Sequence, residues 1–147
     1  MNKIDVKCVA LDGAIIPEYK TVGAAGADVY AYLKESVTLK VGKSCVIPTG
    51  VFYEIPEGFE IQVRPRSGLA IKHGITVLNS PGTIDSDYTG RIGVILINLG
   101  GGPYKINPGD RIAQAVISKY SIVNWNVVDS LPETERKGGF GSTGVKW

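Results

Sequence analysis

The stretch PGTIDSDYTG, residues 81–90, concentrates groups that can do chemistry within ten positions. Asp85 and Asp87 supply carboxylates that can accept a proton, and Tyr88 supplies an aromatic ring with a hydroxyl group. Proline, glycine, aspartate and serine also form turns, so a hairpin loop explains the same composition without any function. The apolar run IGVILINL at 92–99 favours a strand directly after such a loop. The stretch by itself leaves both interpretations open and favours the structural one.

Four other stretches carry groups suited to a phosphorylated ligand. They are AGADVYA (25–31, with Asp28), RPRSGLA (64–70, with Arg66 and Ser67), GDRIAQ (109–114, with Asp110, Arg111 and Gln114) and the tail (with Arg136, Lys137, Ser142 and Thr143). Taken singly, each is explained as a turn, a capped helix, a strand end or a loose terminus. Together they supply arginine and hydroxyl donors for phosphoryl oxygens, glycines that admit close backbone approach, and a carboxylate for hydrated Mg²⁺.

The elements that must position these groups are short strands separated by turns. FEIQVR at 59–64 alternates between apolar and polar residues, which is typical of a half-buried strand. The other strand-like runs are IDVKCV at 4–9, VFYEI at 51–55, GVILINL at 93–99 and IAQAVI at 112–117. With 19 glycines and 8 prolines placed between such runs, the chain is predicted to form an all-β barrel or sandwich.

Two segments break this pattern. RSGLAIKHG at 66–74 predicts one short helix, capped by Ser67 and ended by Gly74, whose first N–H groups are open to an anion. The last nineteen residues are charged and glycine-rich and cannot build a core, so we expect either a disordered tail or a flap that orders on something else. The predicted division is a β-domain at 1–128 and a tail at 129–147.

Composition limits the classes of function. The 147 residues suit one domain, and at 44% hydrophobic and 20% charged they can bury a core. The net charge of +2 is too small to argue for nucleic acid or an anionic membrane as the partner. The charged start MNKIDVKCVA is unlike a signal peptide, and Cys8 and Cys45 are expected to be free thiols. The cytoplasm is the expected location, or the nucleus for a eukaryotic or viral source.

Several motif matches fail on their context. GFGSTG at 139–144 spells a dinucleotide-binding pattern, but only three residues follow it, so it cannot open the helix of a βαβ unit. GKS at 42–44 lacks the earlier glycine of a phosphate-binding loop, and the run from Asp85 lacks the glutamate of a calcium loop. His73, the single histidine, is expected at the surface or near a helix end rather than in a catalytic triad.

The stretches AGADVYA, PRSGLA, NSPGTIDSDYTG, GDRIAQ and GGFGSTG, in this order between residues 25 and 144, resemble the five motifs of the trimeric dUTPases (dUTP diphosphatases). Five motifs in order are far more specific than one. The resemblance implies a distorted jelly-roll β-barrel in a homotrimer, with each active site built from all three chains. It implies Mg²⁺-dependent hydrolysis of dUTP to dUMP and pyrophosphate, which limits uracil in DNA and supplies dUMP for thymidylate synthesis. In keeping with the small net charge, we expect no stable binding to nucleic acid and none to a membrane.

The same resemblance assigns roles to residues. Asp85 is implied to orient and deprotonate the water that attacks the α-phosphorus, Tyr88 to pack against the deoxyribose, and Asp28 to hold Mg²⁺ through water. The uracil pocket is implied to contain Asn79, Gly82, Thr83 and Ile84, and the phosphate site Arg66, Ser67, Gly68 and Gln114. The closing tail is implied to contribute Arg136, Lys137, Phe140, Gly141, Ser142 and Thr143, with Phe140 on the uracil. Asp87, Asp110 and Arg111 are expected in turns or, for the last two, in an ion pair at a subunit interface.

The tail departs from the family pattern by one residue. The family usually has arginine, two residues and then Gly-Gly-Phe-Gly, whereas here Lys137 alone separates Arg136 from Gly138. We therefore expect Lys137 to share or take the γ-phosphate contact, as a point charge without the planar fork of arginine. Two alternatives remain on the same fold, a dCTP deaminase (or a bifunctional deaminase–diphosphatase) and a nucleotide-gated regulatory protein. The filled catalytic positions favour dUTPase over both.

Overall fold

A computed structural model describes residues 2–146 and confirms the all-β class with one short helix. Strands and helix follow one another as β1 (Lys7–Ala10), β2 (Ala27–Tyr30), β3 (Val37–Leu39), β4 (Ser44–Pro48), β5 (Val51–Glu54), β6 (Phe59–Arg64), α1 (Ser67–His73), β7 (Ile75–Val77), β8 (Gly82–Ile84), β9 (Gly93–Asn98), β10 (Tyr104–Ile106) and β11 (Arg111–Lys119). Each of the five strand-like runs contains a strand, which in IDVKCV begins only at Lys7.

The strands form four small antiparallel sheets around one apolar core, in the distorted jelly roll that the resemblance implies. Their strand orders are β1-β5, β10-β3, β4-β9-β7 and β2-β11-β6-β8. Strand neighbours are far apart in the sequence, as in β3 with β10 and β2 with β11. The most deeply buried apolar residues come from all parts of the body and include Ile47, Ile75, Leu96, Ile106 and Ile112.

The nine-residue strand β11 is central to the largest sheet, since it pairs with β2 along one edge and with β6 along the other. Gln114 stands opposite Asp28 on β2 and opposite Arg64 on β6. The register on the β2 side shifts between Arg111 and Ala113, as at a β-bulge. Such a bulge inserts one residue, so Arg111 and Gln114 can face the same side of the sheet.

Helix α1 differs from the prediction at its start and agrees with it at its end. Ser67 is the first helical residue and not the cap; Arg66 has the extended N-cap position, with no side-chain hydrogen bond to the helix. Gly74 ends the helix in the left-handed region at φ 66°, and a Cβ there would overlap the backbone of Gly100. No helix within residues 2–146 is long and apolar enough to cross a membrane.

Two buried polar side chains brace the core. Asn98 explains the polar position within the apolar run GVILINL, because its amide nitrogen donates to the carbonyls of Leu39 and Gly102, each at 2.9 Å. Its amide oxygen accepts the N–H of Gly100 at 2.9 Å. Thr49 is equally buried and donates from its hydroxyl to the carbonyl of Ile92 at 2.7 Å. These side chains therefore hold the segments before and after β9 to the rest of the body.

Cys8 and Cys45 are free and half-buried, and they pack against the core as small apolar groups. Burial raises the pKa of both thiols, which keeps them protonated at neutral pH. The protonated thiol is the weakly reactive form, in keeping with a packing role.

The hydroxyl group of Tyr53 provides a test of the packing. Tyr53 is 5% exposed, and its hydroxyl has no hydrogen-bond partner among the described residues. Because an unpaired buried hydroxyl costs free energy, Tyr53→Phe should leave the free energy of unfolding unchanged or raise it by up to about 1 kcal/mol. Urea denaturation measures the change.

The matched control is Tyr30→Phe. The Tyr30 hydroxyl donates to Glu18 Oε2 at 3.2 Å, so this variant removes a hydrogen bond and should lower the stability. A clear loss of stability in Tyr53→Phe, equal to or greater than that of Tyr30→Phe, would show that the Tyr53 hydroxyl is satisfied.

Candidate active site

The first group of site residues surrounds a buried carboxylate. Asp28 is 4% exposed; its Oδ1 accepts a hydrogen bond from Gln114 Nε2 at 3.4 Å and lies 3.7 Å from Arg66 Nε. Its Oδ2 accepts from Arg111 Nη1 at 3.5 Å. Arg66 also donates from Nη1 to the carbonyl of Arg111 at 3.1 Å. An unpaired carboxylate at this depth would be costly, so these partners are what permits its burial. We call these four residues the Asp28 cluster.

The local sequence explains how the Asp28 cluster forms. The ladder between β2 and β11 brings Gln114 beside Asp28. Gly26 leaves room for the amide, since a Cβ there would lie 3.1 Å from Gln114 Cβ and 3.2 Å from its Oε1. Arg66 follows β6, which pairs with the other edge of β11. The small residues of AGADVYA thus admit the side chain of GDRIAQ.

Arg111 is the residue whose position the sequence reasoning missed. We expected it in a turn or at a subunit interface, yet its guanidinium pairs with Asp28 of the same chain. The bulge in β11 accounts for this position, and no residue type in the sequence marks that bulge. Asp110 does lie in a turn, as expected, where its Oδ2 accepts the N–H of Asn107 at 2.8 Å.

The Asp28 cluster presents positive charge to solvent. One carboxylate is set against two guanidinium groups, and the side chains of Arg66 and Arg111 are 26% and 46% exposed. Ser67 and Gly68 lie next to them as exposed residues of the first turn of α1, where backbone N–H groups have no intrahelical partner. The cluster is therefore suited to binding an anion with several oxygen atoms.

Asp28 is also the residue expected to contact Mg²⁺. No group of three or more His, Cys, Asp or Glu side chains within residues 2–146 is placed to hold a metal ion. Both oxygens of Asp28 already face cationic or amide donors. Mg²⁺ usually keeps several waters and is bound by one or two carboxylates together with substrate phosphates. An ion that arrives with phosphate oxygens and keeps its waters is the kind that this donor set can accept, and the contact of Asp28 with Mg²⁺ stays a prediction.

The second group of site residues surrounds a cavity of about 210 Å³. It is lined by Thr83, Ile84, Asp85, Tyr88, Arg91, Ile92 and Gly93. Asp85 follows β8 directly, is exposed, and accepts the N–H of Tyr88 on its carbonyl at 3.1 Å. Asp87 lies in the turn that this bond closes, as predicted. Tyr88 is 46% exposed and donates from its hydroxyl to the carbonyl of Arg91 at 2.8 Å. We call residues 85–91 the Tyr88 loop.

The predicted hairpin before the Tyr88 loop is not formed, because the two strands that flank the connection pair with other strands. Its arms, β7 and β8, belong to different sheets, and in the described chain each is an edge strand of its own sheet. One edge of β8, residues 82–84, therefore offers N–H and C=O groups to a ligand. Asn79 lies exposed in the connection, and a Cβ on Gly82 would lie 3.2 Å from Val63 Cβ and 3.4 Å from Asn79 Nδ2.

The two groups lie apart within one chain. Ile84, the residue before Asp85, pairs with Ile61 on β6, and Ile61 pairs with Ile117 on β11. Ile117 lies three residues beyond Gln114 along β11. Three residues correspond to roughly 10 Å along the strands, and the three steps from β2 to β8 to roughly 14 Å across them. One chain therefore does not bring Asp85 to the Asp28 cluster.

The tail is separate from both groups. All of residues 121–146 are exposed, Phe140 fully so and with φ 50°. Hydrogen bonds of the segment join its own residues, as in Arg136 Nε to the carbonyl of Gly138 at 3.1 Å. Lys137 Nζ lies 3.9 Å from Glu133 Oε2 in an exposed pair. The structure thus places the predicted tail residues where they are free to bind elsewhere.

A larger open cavity, of about 410 Å³, lies between the end of α1 and the segment Gly100–Tyr104. It contains none of the predicted site residues. His73 lies at its wall with its ring 4.8 Å from that of Tyr104, and the single histidine is exposed at the end of α1, in agreement with the predicted surface position.

Comparison with known proteins identifies the family. The dUTPase family model matches residues 12–144. A deoxyuridine 5'-triphosphate nucleotidohydrolase of Treponema denticola is 58% identical over 135 residues, covering 91% of this chain and 94% of the relative. One of Rickettsia prowazekii is 53% identical and covers 99% of this chain and 100% of the relative.

Solved structures agree in fold. A variant dUTPase of Staphylococcus bacteriophage 80alpha with dUpNHpp has a TM-score of 0.84 and 28% identity, covering 99% of this chain and 100% of that one. A variant dUTPase of phage phi11, described as showing the coordination of a structural Mg(II) ion, has a TM-score of 0.76 and 26% identity, covering 88% and 98%. Motifs, relatives and fold agree, and the chain therefore belongs to the dUTPase family and is a dUTP diphosphatase.

Proposed function

We propose that this enzyme hydrolyses dUTP by in-line attack of a water molecule that Asp85 orients. The observation that carries the proposal is the position of Asp85, which directly follows β8 at the wall of the cavity that it shares with Tyr88. The water oxygen bonds to the α-phosphorus, its proton passes to the carboxylate, and the bond to the α,β-bridging oxygen breaks to release pyrophosphate. Positioning accounts for most of the catalysis in such transfers, so the fixed backbone of Asp85 matters as much as its basicity.

The base and the sugar are recognised beside Asp85. Asn79 and the open edge of β8, Gly82 to Ile84, supply the donors and acceptors that a uracil ring requires. A wrong base would cover these polar groups and leave them unpaired, which gives strong discrimination. The Tyr88 ring lies against the deoxyribose and leaves no room for a 2′-hydroxyl group.

The triphosphate binds at the Asp28 cluster. Arg66, Gln114 and the first turn of α1 at Ser67 and Gly68 contact its oxygen atoms, and Arg111 adds a second guanidinium. Asp28 holds these donors in place and meets Mg²⁺ through water. When bound with the substrate, Mg²⁺ would offset the charge that develops on the pyrophosphate leaving group.

The complete site requires more than one chain. The Asp28 cluster of one subunit, the Tyr88 loop of a second and the tail of a third would form one site in a homotrimer. Support comes from the separation of these groups in one chain and from the exposed segment after β11. Ile122, Trp125 and Val127 are 86%, 82% and 92% exposed, and such an apolar run indicates a contact with another chain.

The tail closes the site. Residues 129–147 form the closing segment and residues 1–128 the body, with Phe140 on the uracil ring and Gly141, Ser142 and Thr143 at the phosphates. Closure excludes water other than the nucleophile. In the cell the reaction would limit uracil in DNA and supply dUMP for thymidylate synthesis.

The direct test is pyrophosphate release from dUTP, dCTP, dTTP and UTP, with Mg²⁺ and with EDTA. We expect release from dUTP alone, its loss in EDTA, and a fall of kcat of about 100-fold or more in Asp85→Asn, which keeps the shape but not the base. Asp87→Asn is the matched control, because Asp87 lies in the adjacent turn, and it should keep its activity. Equal rates in both variants, or ammonia released from dCTP, would overturn the proposal.

The shortened tail makes a separate prediction. The exposed pair of Lys137 with Glu133 contributes little, so the ammonium group is free to bind phosphate. Lys137→Ala should raise the KM for dUTP by about tenfold, as expected for one charge-assisted contact. Lys105→Ala, on β10 outside the site, is the control. If KM is unchanged in Lys137→Ala and rises in Arg136→Ala, the arginine holds the γ-phosphate alone.

A further inference from the structure

We propose that Gly90 and the main-chain carbonyl of Arg91 form a seat that fixes the Tyr88 ring, and that this seat sets how strongly the enzyme rejects ribonucleotides. The inference rests on the proposed role of Tyr88 at the deoxyribose. It assigns a specificity-determining function to a residue without a side chain and to a backbone carbonyl.

Because Gly90 has no side chain, the Tyr88 ring can pack directly against its backbone. A Cβ built on Gly90 would lie 2.7 Å from the Tyr88 hydroxyl oxygen, 2.8 Å from Cζ and 3.1 Å from Cε2. The outer half of the ring therefore lies directly against the Gly90 backbone, at a separation that no other residue permits. This contact therefore determines where the Tyr88 ring stands as one wall of the cavity.

The backbone of Gly90 imposes no glycine requirement of its own. Gly74 and Gly109 have left-handed φ angles of 66° and 80°, and Gly90 is not among the glycines with positive φ. The φ angle of Gly90 therefore does not oppose alanine, and the three nearest atoms that its Cβ would meet beyond the neighbouring residues all belong to Tyr88. Because Tyr88 is 46% exposed, the ring can move aside without disturbing the core.

The acceptor of the Tyr88 hydroxyl group is held by the core. The carbonyl of Arg91 precedes Ile92, which is 5% exposed. The N–H of Ile92 donates to the carbonyl of Val51 at 3.3 Å, and the carbonyl of Ile92 accepts from the N–H and the hydroxyl of Thr49 at 3.1 and 2.7 Å. An acceptor next to such a fixed peptide has little freedom. The 2.8 Å bond from the hydroxyl therefore ties the exposed ring to the core.

Steric rejection of one hydroxyl group needs such a fixed wall. A ring that swings by about an ångström admits the extra oxygen atom, whereas a ring held at its face and at its hydroxyl group does not. Discrimination by shape between substrates that differ by one small group is modest even in favourable sites. A ring that is free to move would therefore lose most of this discrimination.

The experiment compares kcat/KM for dUTP and for UTP in the full-length enzyme and four variants. In Gly90→Ala we expect the ratio of dUTP to UTP to fall by roughly tenfold or more, with the unfolding midpoint close to that of the wild type. Tyr88→Phe, which removes only the tie to Arg91, should lower the ratio in the same direction. Gly101→Ala is the matched control, since a Cβ there meets nothing within 4 Å and it lies outside the site.

Tyr88→Ala distinguishes the proposed role of Tyr88 at the deoxyribose from the proposed seat formed by Gly90 and Arg91. If Tyr88→Ala lowers the ratio while Gly90→Ala leaves it at the wild-type value, the seat is overturned and the role of Tyr88 stands. If Tyr88→Ala itself leaves the ratio unchanged, the role of Tyr88 at the sugar is wrong and the inference falls with it. If Gly90→Ala unfolds, an unchanged ratio in Tyr88→Phe overturns the tie to Arg91.

Discussion

The pairing of β11 with β2 on one edge and β6 on the other determines where the site residues of this chain can lie. It brings Gln114 beside Asp28 and places Arg66, two residues after β6, within reach of the same carboxylate. A shift of one residue would turn Gln114 into the core and Ala115 out of it, because successive side chains face opposite sides. Asp28 would then be a buried charge without its amide partner, which costs free energy.

The same register keeps Asp85, the proposed catalytic residue, away from the Asp28 cluster. β8 pairs with β6 so that Ile84 is level with Ile117, and Asp85 therefore begins its loop at the far end of the sheet from Gln114. One chain thus carries the Asp28 cluster, the Tyr88 loop with its cavity, and an exposed tail, and the three lie apart from one another. On the proposed assignment, assembly is part of the chemistry, because one copy would supply the groups that another copy lacks.

Much of this arrangement could be predicted from the sequence, where local residue type decides the outcome. The alternation of FEIQVR marks β6, Gly74 marks the end of the helix, and five motifs mark the family. What could not be predicted depends on contacts through space. Arg111 joins the Asp28 cluster because of a bulge in β11, and Arg66 takes the cap position expected for Ser67. The contact of Gly90 with the Tyr88 ring, which leaves no space for a side chain at position 90, is likewise visible only in the folded chain.

Subunit mixing tests most directly whether one site combines two chains. Asp85→Asn and Arg66→Ala subunits are each inactive by this account, yet a mixed trimer places an intact Asp28 cluster beside an intact Asp85 from a neighbour. The dUTPase activity of co-refolded, differently tagged subunits should therefore reappear above that of either parent. If mixed assemblies are isolated through both tags and remain as inactive as the parents, Asp85 and the Asp28 cluster act within one chain, and the account of a shared site is wrong.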